Sequence, residues 1–234
     1  MVRRRMGPWR RSRRARRGRR GSGVDLRATL RLAGRTGRGP YGIVRKKPRR
    51  RARKLVVLCD ISGSMEPYAR AMLQLLYCAA GGARAEVFSF ATRLTRLTRV
   101  LAQPQPHLAL RRAGQTAPDW LGGTRIGACL KEFNDGYGSR GVARGAVVVV
   151  VSDGWDTGDP AVVRREMARL SRMAFRIVWV NSRAQSPDYR PLAGGMAAAR
   201  PYCDAVVSAH RLDALGELTA ALAEPVRRRV RGAG

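Results

Sequence analysis

The sequence KLVVLCDISGS at residues 54–64 decides the fold of this chain. Five apolar residues at 55–59 run directly into Asp60, and Ser62 and Ser64 follow. A continuous apolar run of this length is typical of a strand that is buried on both faces of a parallel sheet. Such sheets hold their ligands at the carboxyl ends of the strands, where these three side chains lie. The stretch therefore predicts a central strand and a candidate binding site together.

The same pattern recurs in GAVVVVVSD at residues 145–153, a second apolar run that ends in an aspartate. Further strand patterns lie at residues 85–90, 175–180 and 204–207, and helical patterns separate the strands. The alternation of strands and helices predicts a doubly wound α/β domain of Rossmann-like type. We expect a mostly parallel sheet with helices on both faces.

The remaining segments set the limits of the predicted domain. Residues 92–101 predict a short antiparallel edge strand, and the Pro-rich residues 102–118 predict a loop with one helical turn. We place the folded domain at residues 54–226 and a basic tail at residues 227–234. A leucine stripe predicts a closing helix within that domain, formed around Leu212, Leu215, Leu218 and Leu222.

Residues 1–53 are strongly basic. They hold 22 of the Lys and Arg residues but one acid, Asp25, and so contribute +21 to a formal net charge of +31. Residues 1–23 are almost pure Arg and Gly, which predicts a largely disordered arm, although residues 25–35 fit a short basic helix. Nucleic-acid binding or acidic-partner binding through this arm is the alternative function.

The cysteines and the apolar runs indicate the compartment. The four cysteines are widely spaced with no C-x-x-C pair, which favours free thiols in a reducing environment. The longest apolar run, residues 146–151, is far too short to span a membrane. The arginines at the start of the chain are not followed by the apolar segment of a secretory signal. We therefore expect a cytoplasmic protein.

The polar residues at the two strand ends define a candidate metal site. If the two strands are neighbours, five oxygen-bearing side chains converge at one sheet edge: Asp60, Ser62, Ser64, Thr124 and Asp153. A set of hard oxygens without histidine or thiolate suits Mg²⁺ or Mn²⁺ and suits zinc poorly. Helix capping by the serines or by Thr124, and an ordinary turn at Asp153, are the structural alternatives.

These residues resemble the metal-ion-dependent adhesion site (MIDAS) of von Willebrand factor A (VWA) domains. The resemblance implies that the serines and the threonine bind the metal directly or nearly so, and that the aspartates often act through water. A carboxylate of the partner then completes the shell. The resemblance covers about residues 25–224. The segments that look like the bacterial CoxE-like subgroup are LCDISGSM, VFSFATRLTRLTR, DWLGGTRIGACLKEFN, SDGWDTGDP and the WVN strand end at Trp179.

The resemblance implies a non-enzymatic, metal-dependent protein-binding module. CoxE-like proteins are linked with MoxR-type AAA+ ATPases and with the maturation of metalloenzymes such as carbon monoxide dehydrogenase. Trp155 and Asp156 follow the second strand-end aspartate, and we expect them in the rim that contacts the partner, with a structural role for Trp155 as the alternative. Family members usually carry a longer helical region before this domain. An arginine-rich stretch in its place indicates a truncated product or a misassigned start.

Enzymatic activity is the competing interpretation, and the residues disfavour it. Asp60 at a strand end is similar to the nucleophile of haloacid-dehalogenase phosphotransferases, but these need a second aspartate where this chain has Ser62. The sequence contains no G-x-x-x-x-G-K-[ST] loop for a nucleotide. The two histidines, His107 and His210, have no evident nucleophile partner. We expect that the protein is not an enzyme.

Overall fold

The computed structural model describes residues 9–17, 23–36, 43–63, 65, 69–82, 85–116, 123–181 and 194–208. The chain divides into two compact units. The N-terminal unit is Pro8–Arg53, and the sheet unit comprises Met1–Gly7 and Lys54–Gly234. The expected closing helix and the basic tail at residues 227–234 lie outside the described residues.

The described part of the N-terminal unit contains three strands and one helix. Strand β1 (Trp9–Arg17) pairs antiparallel with β3 (Arg45–Ala52), and β2 (Gly23–Val24) pairs with the other side of β3. Helix α1 (Leu26–Thr36) agrees with the basic helix expected for this segment. The strands differ from the expected disorder. Composition did not predict them, because an arginine-rich segment lacks the apolar alternation that marks a strand.

One six-stranded sheet organises the sheet unit, with the strand order β6-β5-β4-β7-β8-β9. Every neighbouring pair is parallel except β5 and β6, which are antiparallel. The bounds of the strands are β4 (Leu55–Asp60), β5 (Glu86–Phe90), β6 (Leu94–Arg96), β7 (Val147–Val151), β8 (Arg176–Asn181) and β9 (Ala205–Ser208). The predicted α/β class, with a mostly parallel sheet and one antiparallel edge strand, is confirmed.

Six α-helices connect the strands in the part of this unit that the structure describes. They are α2 (Ala69–Gly82), α3 (Thr98–Leu101), α4 (Pro106–Thr116), α5 (Ile126–Phe133), α6 (Pro160–Met173) and α7 (Gly194–Ala199). Helix α5 continues into one π-helical turn, Asn134–Gly138, and α7 into a 3₁₀ turn, Arg200–Tyr202. None of the described helices has the length and apolar character that crossing a membrane requires.

Two segments differ from the sequence-based expectation. Within residues 92–101 only β6 is a strand, and α3 follows it. Within residues 102–118, predicted as a loop with one turn, α4 is an eleven-residue helix. The buried residues of α4 are Ala109 and Ala113, which lie four residues apart on one face of the helix. Alanines give a weak hydrophobic signal, so the helical period of this segment is hard to detect in the sequence. The prolines favour a loop, although Pro106 at the first helical position is equally compatible with a helix start.

The central strands supply residues alternately to two hydrophobic cores. Val56 and Leu58 of β4 pack in the core that also contains buried residues of α5, α6 and α7. Val57 and Cys59 pack in the other core, with Leu76 of α2. Helices therefore cover both faces of the sheet, which is why the strands read as continuous apolar runs instead of alternating ones.

Two glycine-to-alanine substitutions test the helix packing. A Cβ added at Gly127 of α5 would lie 3.0 Å from the Val162 Cβ and 3.1 Å from the Val163 amide nitrogen of α6. A Cβ added at Gly114 of α4 meets nothing within 4 Å. We expect Gly127→Ala to lower the free energy of unfolding by roughly 1–2 kcal/mol, measured by urea denaturation. Gly114→Ala should raise it by about 0.5–1 kcal/mol, because alanine favours a helix.

The two variants serve as controls for each other. A destabilising Gly114→Ala would contradict the helical assignment of residues 106–116. A neutral or stabilising Gly127→Ala would contradict the close crossing of α5 and α6.

Candidate metal site

The parallel pairing of β4 with β7 brings two aspartates to one edge of the sheet. Cys59 lies opposite Val151 in the register, so Asp60 and Asp153 follow at neighbouring strand ends. The negative charge of Asp153 contributes to raising the pKa of Asp60, which reflects their proximity. The condition set by the sequence, that the two apolar strands are neighbours, is therefore met.

Asp60 is a buried carboxylate held by hydrogen bonds to both oxygens. The Ser62 amide donates to Oδ1 at 2.9 Å, and the Ser152 hydroxyl donates to Oδ2 at 2.6 Å. The side chain is 1% exposed, and burial raises the pKa of Asp60 to about 6 although these hydrogen bonds oppose the increase. The Ser62 hydroxyl also hydrogen-bonds to Asp60.

The segment that precedes α5 brings Thr124 to the same edge, beside the end of the neighbouring strand β5. The Arg125 amide donates to the Ala91 carbonyl at 2.9 Å, just beyond the end of β5. The Ile61 amide donates to the Phe90 carbonyl at 3.0 Å, which fixes the residue after Asp60 at the same level. Thr124 is 2% exposed. Arg125, without a side-chain hydrogen bond, occupies the cap position of α5, so the alternative of a capping role for Thr124 is wrong.

The loop after β7 clamps the Thr124 segment in place. The amide and the hydroxyl of Thr157 both donate to the Thr124 carbonyl at 2.9 Å. Asp156 Oδ1 accepts from the Ile126 amide at 3.0 Å, so this carboxylate caps α5 from thirty residues away in sequence. The other oxygen of Asp156 is buried and has no hydrogen-bond partner among the described residues. Sequence analysis placed Asp156 in a partner-binding rim and did not predict this contact.

Ser152 is a second residue that the sequence analysis missed. Besides donating to Asp60, its hydroxyl accepts from the Gly154 amide at 3.0 Å. Its carbonyl accepts from the Trp179 indole nitrogen of β8 at 2.9 Å. Ser152 therefore ties together the ends of β4, β7 and β8. A serine directly before Asp153 is the sequence signal, but nothing in one sequence shows which of the polar residues there turns inward.

Gly154 gives the loop its turn and its close packing. Its φ of +81° is strained for other residues, and an added Cβ would lie 2.5 Å from the Met196 Cβ of α7. The Trp155 amide donates back to Asp153 Oδ1 at 3.1 Å. A tight turn at Asp153 is thus present, and it orients a strand-end carboxylate at the same time. Trp155 itself is 63% exposed.

Four of the five predicted ligands lie at one edge of the sheet. They are Asp60, Ser62, Thr124 and Asp153, and all four are buried. Ser64 lies outside the described residues. A neighbouring carboxylate, Asp153, is among the causes that raise the pKa of Asp60. Two buried carboxylates with neutral hydroxyls beside them fit a small divalent cation, which would offset the cost of burying their charge.

Asp60→Asn tests the electrostatic cost of this arrangement in the metal-free protein. Burial raises the pKa of Asp60 from 3.8 to about 6, so the ionised side chain destabilises the fold above pH 6. The penalty builds up as the pH rises from 3.8 to 6. We expect Asp60→Asn to raise the free energy of unfolding by roughly 1–3 kcal/mol at pH 7.5 in EDTA. Lowering the pH to 5 should reduce the difference in unfolding free energy between the variant and the parent by about half.

Denaturant unfolding of both proteins at the two pH values is the measurement. The asparagine keeps an acceptor for the Ser62 amide, and its amide nitrogen then faces the Ser152 hydroxyl, which can accept a hydrogen bond instead of donating one. A variant less stable than the parent at pH 7.5, or a difference independent of pH, would contradict the assignment of a strained buried charge.

Solved structures with a similar fold share little sequence with this chain. A von Willebrand factor type A protein from Catenulispora acidiphila has a TM-score of 0.52 at 14% identity, covering 75% of this chain and 43% of that one. Proximal thread matrix protein 1 from the mussel byssus, solved with a zinc-occupied MIDAS motif, has a TM-score of 0.50 at 14% identity, covering 73% and 47%. The chain therefore spans less than half the length of either. These likenesses show the VWA fold.

The sequence itself matches a protein family. No curated protein matches the chain, but the family model described as "VWA domain containing CoxE-like protein" matches residues 1–215. The match includes the N-terminal unit and every strand and helix described above. The chain belongs to the family of VWA domain containing CoxE-like proteins.

Proposed function

We propose that this chain is a non-enzymatic binding module that holds one Mg²⁺ or Mn²⁺ ion and uses it to capture an acidic residue of a partner protein. The observation that carries the proposal is the convergence of two buried aspartates and two buried hydroxyls at one sheet edge. The proposed ligands are Asp60, Ser62, Ser64, Thr124 and Asp153. The family supports a binding role, since VWA domains generally act as interaction modules and one with a similar fold carries a metal in its MIDAS motif.

Each described residue has a defined task in this mechanism. Ser152 orients Asp60 through its hydroxyl, and the Asp156–Thr157 pair fixes the backbone that carries Thr124. The hydroxyls of Ser62 and Thr124 add ligand oxygens without adding negative charge. A bound divalent cation would supply the positive centre that attracts an incoming carboxylate.

The partner's surface would meet an exposed aromatic residue beside this edge. Trp155 is largely exposed and follows the strand-end aspartate by two residues. Tryptophan is one of the residue types that are enriched at energetically important interface positions. We assign Trp155 and Asp156 to the partner-binding rim. Asp156 contributes through the backbone that it holds, because its Oδ1 caps α5 and its Oδ2 is buried.

The family assignment supports a specific partner class. We propose a MoxR-type AAA+ ATPase or its client metalloenzyme, as in the maturation of carbon monoxide dehydrogenase, as the protein that supplies the carboxylate. All four cysteines are free thiols in the structure, which supports the proposed cytoplasmic location. Incidental nucleic-acid contact through the basic N-terminal residues is compatible with this function.

Metal titration tests the ligand set. Calorimetry with Mn²⁺ should give one site in the parent, competed by Mg²⁺, and no measurable binding in Asp60→Ala. Thr124→Val keeps the side-chain shape and removes one oxygen, so we expect binding at least about tenfold weaker. Ser89→Ala is the matched control, because Ser89 is also buried, and its hydroxyl has no hydrogen-bond partner among the described residues.

Two outcomes would contradict the assignment. The first is parent-like binding in Asp60→Ala, and the second is an equal loss of affinity in Thr124→Val and Ser89→Ala. A titration with Zn²⁺ in parallel compares the predicted preference for Mg²⁺ and Mn²⁺ with the zinc seen in the mussel protein.

Alanine variants of two capping aspartates test whether the contacts of Asp156 and Thr157 with the Thr124 segment support the metal site. Asp156 caps α5 beside Thr124, whereas Asp159 caps α6 by accepting from the Ala161 amide at 2.8 Å. Both alanine variants should lose about 1 kcal/mol of stability. Only Asp156→Ala should weaken Mn²⁺ binding, by roughly 10–100-fold, as supporting residues of metal sites do. Asp156→Asn keeps the acceptor oxygen and should retain most of the affinity.

The stability measurement separates general damage from loss of positioning. Equal Mn²⁺ affinities of the Asp156→Ala and Asp159→Ala proteins would show that the hydrogen bond from the Ile126 amide to Asp156 does not position Thr124. If the parent itself binds no Mn²⁺, the metal site is wrong, which is a distinct result.

The mode of partner binding is tested by recovery of the complex from lysate. With Mg²⁺ present, the tagged parent should recover an AAA+ ATPase, identified by mass spectrometry, and EDTA should abolish the recovery while the domain stays folded by circular dichroism. Re-addition of Mg²⁺ should restore it. The Trp155→Ala protein should bind Mn²⁺ normally and recover less ATPase. Equal recovery with and without EDTA would rule out metal-bridged binding.

A further inference from the structure

The antiparallel pairing of β1 with β3 juxtaposes like charges. Of the 17 residues in the two strands, 12 are Lys or Arg and none is acidic. Four of the six recorded register positions pair two basic residues directly: Arg10↔Arg51, Arg11↔Arg50, Arg16↔Lys47 and Arg17↔Lys46. Like charges directly opposite each other destabilise a strand pair. A polyanion that neutralises these pairs would therefore stabilise the ribbon β1–β3.

The chain itself does not provide that charge. Asp25 is the only acid in residues 1–53, and its carboxylate accepts from the Ala28 amide at the start of α1. Residues 54–234 carry a net charge of +10, so they offer no acidic surplus either. A polyanion outside this chain is the consistent partner.

We propose that the β1–β3 ribbon binds double-stranded DNA through its phosphate backbone, without sequence preference. Consecutive residues of a strand lie on opposite faces. The adjacent basic pairs at residues 10–11, 16–17, 46–47 and 50–51 therefore put positive residues on both faces of the ribbon. The major groove of B-DNA admits a two-stranded ribbon and has a phosphate backbone on each side.

Other polyanions fit this geometry less well. A flat anionic membrane faces only one side of a ribbon and leaves the repulsion on the other side unrelieved. An acidic protein surface has a lower density of negative charge than the duplex, which carries one charge per roughly 1.7 Å of axis. A ribbon that is basic on both faces therefore favours the duplex.

Salt dependence measures the number of phosphates contacted. Each neutralised phosphate contributes about 0.9 to the slope of log K against log salt. We would measure binding of the full-length chain to a fluorescent duplex between 50 and 200 mM NaCl, in EDTA so that the proposed metal site takes no part. The ribbon variant combines Arg10→Gln, Arg11→Gln, Arg16→Gln and Arg17→Gln. It should reduce the slope by about 3–4 and weaken binding at least tenfold at 50 mM salt.

A matched control removes the same charge from the sheet unit. It combines four glutamine substitutions at exposed arginines, namely Arg111, Arg112, Arg140 and Arg144. We expect the control to change the slope by less than about 1. A second ribbon variant with lysine at the four β1 positions keeps the charge and should keep the slope, which guards against loss of folding as the explanation.

Three outcomes would overturn the proposal. The first is a parent that does not bind the duplex at 50 mM salt. The second is an equal loss of affinity in the glutamine ribbon variant and the control, which would assign binding to net charge and not to the ribbon. The third is stronger competition by poly-glutamate or phosphatidylserine vesicles, added at equal charge, than by unlabelled duplex, which would assign the ribbon to an acidic protein or to a membrane surface.

Discussion

The parallel pairing of β4 with β7 is the constraint on which the rest of the site depends. It places the ends of two fully buried strands side by side, so Asp60 and Asp153 leave the sheet at adjacent positions. The polar residues that follow the apolar runs limit this register, because a slip along the strand would carry Asp60 or Ser152 into the two apolar cores. Two carboxylates are thereby held close together in a buried environment that favours a cation.

The central strands and the site location could be predicted from sequence because both signals are local. Apolar runs that end in aspartate identify β4 and β7 directly, and parallel sheets gather polar residues at their carboxyl edge. The supporting contacts could not be predicted, since they join distant segments: Ser152 reaches Asp60, and Asp156 caps α5. Helix α4 was missed because its buried face consists of alanines, and β1 and β3 because their residues are nearly all basic.

The two units of the chain have opposite electrostatic needs. The sheet unit buries a pair of carboxylates and gains from a cation, whereas the ribbon in the N-terminal unit aligns arginines and gains from a polyanion. Both charge arrangements follow from strand pairing, because the register of each pair sets which charged residues lie next to each other in the ligand-free protein. The two proposed activities are therefore separable by chelator and by salt, since removal of a divalent ion affects the first and ionic strength chiefly the second.

The central claim is that one divalent ion binds at the carboxyl edge of the sheet. The most direct test is a crystal structure of the protein grown with Mn²⁺, with data collected at a wavelength that gives anomalous signal from manganese. We predict one strong anomalous peak between Asp60 and Asp153, within bonding distance of the hydroxyl oxygens of Ser62 and Thr124. An empty edge at millimolar Mn²⁺, or a peak only at other surface carboxylates, would contradict it.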